Sequence, residues 1–328
     1  MIHVLKVLTP GLHTTFQDIG RIGYRDVGVP SSGPLDRISL RLANVLVGNR
    51  ADTAVLEILV SGPALEVLAD SIRVALTGCH AAIEVTSRSG RRRRIPAGRS
   101  ARLTRGDVLQ VPVTGDSLCG YLAIEGGVAV PRVLGSAATY VRGGFGGHHG
   151  RRLQSHDILM LRRTSVPAEG ESALPYAQKL GFDLPIRVVP GPQQDHFTDK
   201  ALKTLLSGEY TVSRQSDRMG FRLDGPSIEH SGDYNIVSDG IVSGSIQVPG
   251  TGQPIILMVD NQTTGGYPKI ATVISADIPV VGRRKPGQRL RFEAVDVAQA
   301  EAIRRSQEVL LEREAASILR AVEDVVHA

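Results

Sequence analysis

The feature that most constrains this chain is that its order of motifs occurs twice. Arg21-Ile22-Gly23-Tyr24-Arg25 followed by Gly28-Val29-Pro30-Ser31 is echoed by Arg218-Met219-Gly220-Phe221-Arg222 followed by Gly225-Pro226-Ser227. A Val-Ser-Gly segment comes next in each copy, within Glu57–Gly62 and within Asp239–Gly244. A glycine turn feeding a strand follows, Arg105-Gly106-Asp107-Val108-Leu109 in the first and Pro286-Gly287-Gln288-Arg289-Leu290 in the second. Gly62 and Gly106 stand 44 positions apart and Gly244 and Gly287 stand 43 apart, a spacing that a duplicated scaffold preserves.

A chain of 328 residues suits two such units, each with a core of its own. Long stretches alternate Val, Ile and Leu with Gly and Pro, and 36 glycines exceed ordinary usage, so the pattern reads as mainly β. The first copy carries an extra helix, with Leu35, Ile38, Leu42, Val45 and Leu46 at helical intervals between Pro34 and Gly48-Asn49. The polar stretch Arg163–Ser172 reads as a linker, which places the domains at 1–170 and 171–328. In the second copy a short helix is expected over Asp199–Leu206, with Thr198 as its N-cap and Gly208 past its end. A long terminal helix begins after Asp296, with Ile303, Leu310, Leu311, Ile318, Val322 and Val325 as its apolar face.

Charge and cysteine content narrow the function classes. The net charge of +5 comes from a nearly even balance of 38 basic and 33 acidic residues. Its visible source, Arg91–Arg94, is flanked by Ser89-Gly90 and Pro96-Ala97-Gly98 and reads as a solvated loop, with no nucleic-acid partner expected. Cys79 and Cys119 lack metal-ligand spacing, and the opening Met1–Val7 is too short for a secretory h-region. A cytoplasmic protein that neither spans nor enters a membrane is expected.

The candidate chemistry concentrates in the second half. Ile255–Val259 reads as a buried strand ending in Asp260-Asn261-Gln262-Thr263-Thr264-Gly265-Gly266-Tyr267-Pro268-Lys269, where carboxylate, amide, hydroxyl and ammonium groups crowd one strand end. A capped polar turn explains the same letters. Gln247, upstream, offers both a donor and an acceptor, which suits a lactam, urea or other amide. In Arg214-Gln215-Ser216-Asp217-Arg218 the charges either pair internally or present Asp217 as a base with Arg214 or Arg218 as an anion clamp. The first copy offers Gln17, Asp18, Ser32 and Asp36, the last also suited to a helix N-terminus. Gly143–Gly150, with His148 and His149, reads as a flexible loop and no metal site is expected. Cys79 reads as a buried thiol rather than half of a dyad with His80.

Thr14–Arg21, Gly28–Asp36, Ser216–Gly220, Ile246–Pro249 and Thr263–Pro268 together resemble the KipA family. That group includes the C subunit of 5-oxoprolinase, allophanate hydrolase subunit 2 and the carboxyltransferase domain of urea carboxylase. The resemblance runs in order along nearly the whole chain and implies two cyclophilin-like β-barrel domains. It also implies a KipI-like B subunit and a further A subunit as partners, with ATP and its magnesium used in the assembled enzyme to open 5-oxoproline to glutamate. On that footing Asp217, Arg218 and Lys269 are the catalytic candidates. Arg214, Gln247, Asp260, Gln262, Thr263, Thr264, Gly265, Gly266 and Tyr267 are the substrate-binding candidates, joined by Gln17, Asp18, Ser32 and Asp36 in a shared cleft.

Two other readings stay open. One is carboxyl transfer to urea or a small amide, for which biotin must arrive on a partner because no Met-Lys-Met site exists here. The shortness of the chain beside the large fused enzymes favours the free-standing 5-oxoprolinase component. The other is a non-catalytic binder of a KipI-type kinase inhibitor. One departure from the family pattern stands in Leu153–Leu159, where His156 occupies the place of an expected Gly before Asp157.

Overall fold

The computed structural model describes the backbone of residues 4–326 and side chains through residue 318. The opening Met1-Ile2-His3 and the side chains of Val322 and Val325 lie outside the described residues. The chain divides into two compact units: Met1–Arg21 with Ser32–Leu180 and Leu311–Ala328, and Ile22–Ser31 with Gly181–Leu310. Both are mainly β and barrel-like, as the alternating apolar pattern requires.

The first unit holds two antiparallel sheets. One runs in the order Ile158–Met160, Val4–Thr9, Ala64–Val67, Val108–Gln110, Ile83–Thr86, Arg92–Ile95. The other runs His13–Gln17, Val55–Leu59, Cys119–Ile124, Ser71–Thr77, Ser100–Thr104. Leu5, Val7 and Leu65 from the first sheet join Leu56, Val74, Leu103 and Leu122 from the second in one core. Each fully buried Leu contributes about 1.5–3 kcal/mol through its apolar area. The Arg37–Leu46 helix covers Cys119–Ile124 and Ser71–Thr77 with Leu40, Leu42 and Leu46 buried.

The second unit is built on an eight-stranded sheet in the order Arg289–Leu290, Tyr210–Val212, Gly220–Asp224, Ile255–Leu257, Ser245–Gln247, Lys269–Val273, Ile186–Pro190, Phe292–Ala294. Its last pair is parallel and the others are antiparallel. Asp239–Gly240 and Thr264–Gly265 form a separate two-stranded ribbon. The helix Asp199–Ser207 is capped by the Thr198 hydroxyl. Asp296 and Gln299 bond each other's backbone N–H at 2.7 and 2.9 Å, a reciprocal cap that opens the Val297–Val326 helix. On that helix Leu311 and Ile318 are buried, whereas Leu310 is 64% exposed and leaves the expected apolar face.

The repeat is visible in some places and lost in others. Gly106 and Gly287 both take left-handed φ, 86° and 90°, in turns that lead into Val108–Gln110 and Arg289–Leu290. The earlier match fails locally. Gly220 enters a strand opposite Leu257, while Gly23 has φ 90° and leads into the 3-10 turn Arg25–Val27.

Three readings of loops are corrected by hydrogen bonding and packing. Arg92–Ile95 is the edge strand of a hairpin with Ile83–Thr86, closed by a turn at Ser87–Gly90. Exposed arginine stems are compatible with a strand edge, and their charge discourages pairing with another edge. The polar Arg163–Ser172 stretch is held to the first unit: Arg73 donates to Pro167 O, Ser172 N donates to Ser100 Oγ at 2.7 Å, and Val166 is buried. Gly143–Gly150 is tightly packed, since a Cβ at Gly150 would fall 2.0 Å from Gly144 O.

Candidate functional site

Lys269 starts the strand Lys269–Val273, and its side chain is 4% exposed. A buried ammonium needs partners. Its Nζ donates to Asp239 Oδ2 at 2.6 Å and to Gly240 O at 2.8 Å, both on the ribbon. Asp239 is 53% exposed, so the pair opens to solvent on the carboxylate side. The Lys269 ammonium, with help from the Gly240 N–H and Gln193, holds the Asp239 carboxyl below its usual range. Gln193 links the two residues again, donating from Nε2 to Asp239 at 2.9 Å and accepting the Lys269 N–H at 3.1 Å.

The facing strand of the ribbon carries Thr264 and Gly265 in register with Gly240 and Asp239. Gln247 is buried and donates to Tyr267 O at 3.1 Å. A Cβ at position 265 would lie 2.4 Å from Ile241 Cδ1 and 2.8 Å from the Gln247 amide nitrogen, so any larger residue displaces those side-chain ends. Ammonium, carboxylate and amide groups are therefore gathered at one end of the second sheet. Such a cluster can grip a small polar molecule and meet charge developing on an oxygen.

Arg218 and Asp260 are brought together in a different way. The guanidinium donates from Nε to Asp260 Oδ2 at 2.8 Å and from Nη2 to Oδ1 at 3.3 Å, with side chains 6% and 8% exposed. This cation is already matched by a buried carboxylate. Asp217, expected as a base, is exposed and accepts the N–H groups of Met219 at 2.8 Å and Gly220 at 3.3 Å. Its carboxylate shapes the turn into Gly220–Asp224, and Asp239 is the acid beside Lys269. Arg214 is exposed in the same turn; Gln262 and Tyr267 are exposed; Thr263 and Gly266 are half-buried.

Of the first-unit candidates, Gln17, Asp18 and Asp36 bond partners within their own unit. Asp36 caps the Arg37–Leu46 helix, accepting from Ile38 N at 3.0 Å and Ser39 N at 3.1 Å. Asp18 accepts from Ala137 N at 2.6 Å, from Gly20 N at 3.0 Å and from Ser136 Oγ. Gln17 donates to Thr15 Oγ1 at 3.0 Å and Thr139 O at 3.2 Å, while its Oε1 is buried without a partner. Ser32, at φ 52°, likewise has a buried hydroxyl without a partner.

Sequence reasoning missed Asp239 and Gln193 as neighbours of Lys269. Asp239 was visible only as part of a repeated strand, and nothing local marks Gln193 as a neighbour of a lysine 76 positions away. Other groups that looked chemical are accounted for structurally. Burial pushes the Cys79 thiol up to about 11, and His80 turns to Asp116 and Gln178. His148 contacts Asp157 at 3.5 Å, and Arg151 grips that same carboxylate with two bonds of 2.7 and 2.8 Å.

Residues 27–294 match the family model described as carboxyltransferase domain, subdomain A and B. The chain belongs to this family. Among curated members, the carboxyltransferase-domain chain is 36% identical to the 5-oxoprolinase C subunit of Escherichia coli over 94% of its own length and 97% of that protein. It is 33% identical to the protein of the same name from Haemophilus influenzae, over 95% and 97%. Urea amidolyase of Saccharomyces cerevisiae is 30% identical over 98% of this chain, which spans 18% of that much longer protein. In structure, the K. lactis urea amidolyase superposes with a TM-score of 0.85 at 30% identity, covering 95% of this chain and 20% of that one.

Proposed function

We propose that this chain is the C subunit of a multi-subunit, ATP-dependent 5-oxoprolinase and contributes the Lys269–Asp239 cluster to opening the lactam. The observation that carries the reading is reciprocal coverage: 94% of this chain and 97% of the Escherichia coli 5-oxoprolinase C subunit align. The urea amidolyase relative is matched over only 18% of its length.

Lactam opening places negative charge on the amide oxygen, and a preorganised cation there lowers the barrier. Lys269 is the candidate, held rigid by Asp239 and Gly240. Gln247, opposite Lys269 in the sheet, and Thr264, opposite Gly240 in the ribbon, suit orientation of the substrate amide, while the exposed Asp239 suits proton exchange. With Lys269 paired to Asp239 and Arg218 to Asp260, the cluster leaves at most the one ammonium to share with a developing oxyanion and too little positive charge for a triphosphate. ATP and magnesium are therefore assigned to the assembled enzyme, with a KipI-like B subunit and a further A subunit, and no step at this cluster uses them.

The test is reconstitution with the partner subunits, following glutamate and ADP formation from 5-oxoproline. Turnover that requires this chain and falls at least tenfold in Lys269→Ala is expected. Full activity of that variant would sink the assignment of the site. Carboxyl transfer to urea or another small amide is the second reading, supported by the likeness to urea amidolyase. Urea carboxylation with a biotinylated partner and no 5-oxoproline turnover would select it. Complex formation with neither activity would select a binding role.

A further inference from the structure

We propose that Arg25 is a positioning residue for the Lys269–Asp239 site, tying together the two strands of the ribbon that carries Asp239. The inference rests on that cluster being the working site. Arg25 comes from the first copy of the sequence repeat but is part of the second compact unit.

Its Nη2 donates to Asn261 Oδ1 at 2.9 Å, to Gln262 O at 3.3 Å and to Ile241 O. Ile241 directly follows the ribbon strand Asp239–Gly240, and Gln262 stands two residues before the strand Thr264–Gly265. One nitrogen thus bonds both sides of the ribbon, next to the Ile241 N–H that donates to Thr263 O at 3.0 Å. Two residues per strand make a ribbon too short to hold its own geometry. Lys269 grips the carbonyl of Gly240 and Arg25 that of Ile241, so two cations from distant parts of the sequence hold consecutive carbonyls.

The anchor on the other side is rigid. Asn261 is fully buried, and its Nδ2 donates to Met258 O and to Ser243 Oγ, which leaves Oδ1 turned to Arg25. The turn presenting Arg25 is equally defined: Gly28, at φ 83°, donates to Arg25 O at 3.1 Å, and Val29 N donates to Tyr24 O at 3.1 Å. None of residues 22–29 is buried, and Ile22 and Val27 are 80% and 68% exposed. The segment is therefore docked through the guanidinium rather than through an apolar plug. Burial pulls the Arg25 guanidinium below its ordinary value, a desolvation cost that the oxygen acceptors offset. Lysine cannot replace it, because its side chain is one bond shorter and its ammonium stops short of the place from which Nη2 reaches both strands.

Two measurements on the full chain test the clamp. Amide hydrogen exchange of Arg25→Ala is expected to accelerate at least tenfold at Gly240, Ile241 and Gly265, with the Ile255–Leu257 and Lys269–Val273 strands unchanged. In the reconstituted enzyme, the same variant is expected to lose about tenfold or more in kcat with a smaller change in KM. Added guanidinium ion restores part of that loss, and Arg25→Lys does not. Unchanged exchange at the ribbon, exchange raised throughout the second unit, or a kcat loss indifferent to guanidinium would each overturn the proposal. If the wild-type assembly turns over no 5-oxoproline, the activity reading fails while the exchange result still decides the clamp.

Discussion

The buried carboxylates of the first unit, Asp18, Asp36 and Glu57, and the Lys269 cluster of the second differ in how their charges are met. In the first, carboxylates are sealed in and answered by backbone N–H groups. Asp36 is fully buried on two helix amides, and Glu57, also fully buried, accepts from Leu35 N at 2.8 Å and from Tyr121 Oη at 2.7 Å. Burial and the neighbouring acids push the Tyr121 phenol well above its usual value, so it remains a donor. In the second, a buried ammonium leans on a carboxylate that is half in water. The first-unit carboxylates face inward onto N–H and O–H donors, whereas the Lys269–Asp239 pair keeps one side open to solvent.

Four variants sharpen that contrast, beginning with the largest expected effect. Arg218→Met leaves Asp260 buried without its guanidinium and is expected to cost about 3–5 kcal/mol in denaturant unfolding. A loss under 1 kcal/mol would show that this pair is not structural. Lys269→Met is expected to cut turnover by about 10²–10³-fold, the size of losing one preorganised donor, with a much smaller change in melting temperature. If stability collapsed instead, Lys269 would belong with Arg218 among the folding residues. Asp36→Ala removes a helix cap and is expected to cost about 1–2 kcal/mol, read as a lower melting temperature with an unchanged ribbon exchange pattern. His156→Gly is expected to stabilise by up to about 1 kcal/mol, because His156 holds φ 73° on an exposed turn.

A pH series separates the same two kinds of charge. Arg151 holds the Asp157 carboxyl down at about 2, so its folded value lies below the ordinary ~3.9. The stability this contributes is complete above that unfolded value and is lost as pH falls through about 2. Asp157→Asn is expected to flatten the acid limb of the stability curve between roughly pH 5 and 2. An acid limb identical to wild type would assign the loss to other carboxylates.

How much was legible depends on whether the deciding contact is local. The inserted helix, its Asp36 cap, the Thr198 cap and the Asp296 start could be read because caps and helical spacing act within a few residues. The turn at His156 was legible as a departure, and its positive φ explains why glycine is expected there. The Arg91–Arg94 segment was misread because charged residues suit a loop and a strand edge alike, and only pairing with Ile83–Thr86 chooses between them. Where Asp217 sits was not legible, because a carboxylate that caps a turn, as this one does for Met219 and Gly220, and one that serves a site have the same letter.

By itself, the sequence determined the mainly β class, the positions of the Arg37–Leu46, Asp199–Ser207 and Val297–Val326 helices though not of Ile278–Arg283, and the concentration of amide, hydroxyl and charged groups between Gln247 and Lys269. Periodicity, capping and spacing along the chain carry that information. Tertiary structure alone decided which acid answers Lys269, that Arg218 is matched by Asp260, and that Arg25 crosses from one copy's sequence into the other copy's unit. Those pairings join residues 30 to 236 positions apart. They are fixed by burial of charge, which has no signature in local sequence.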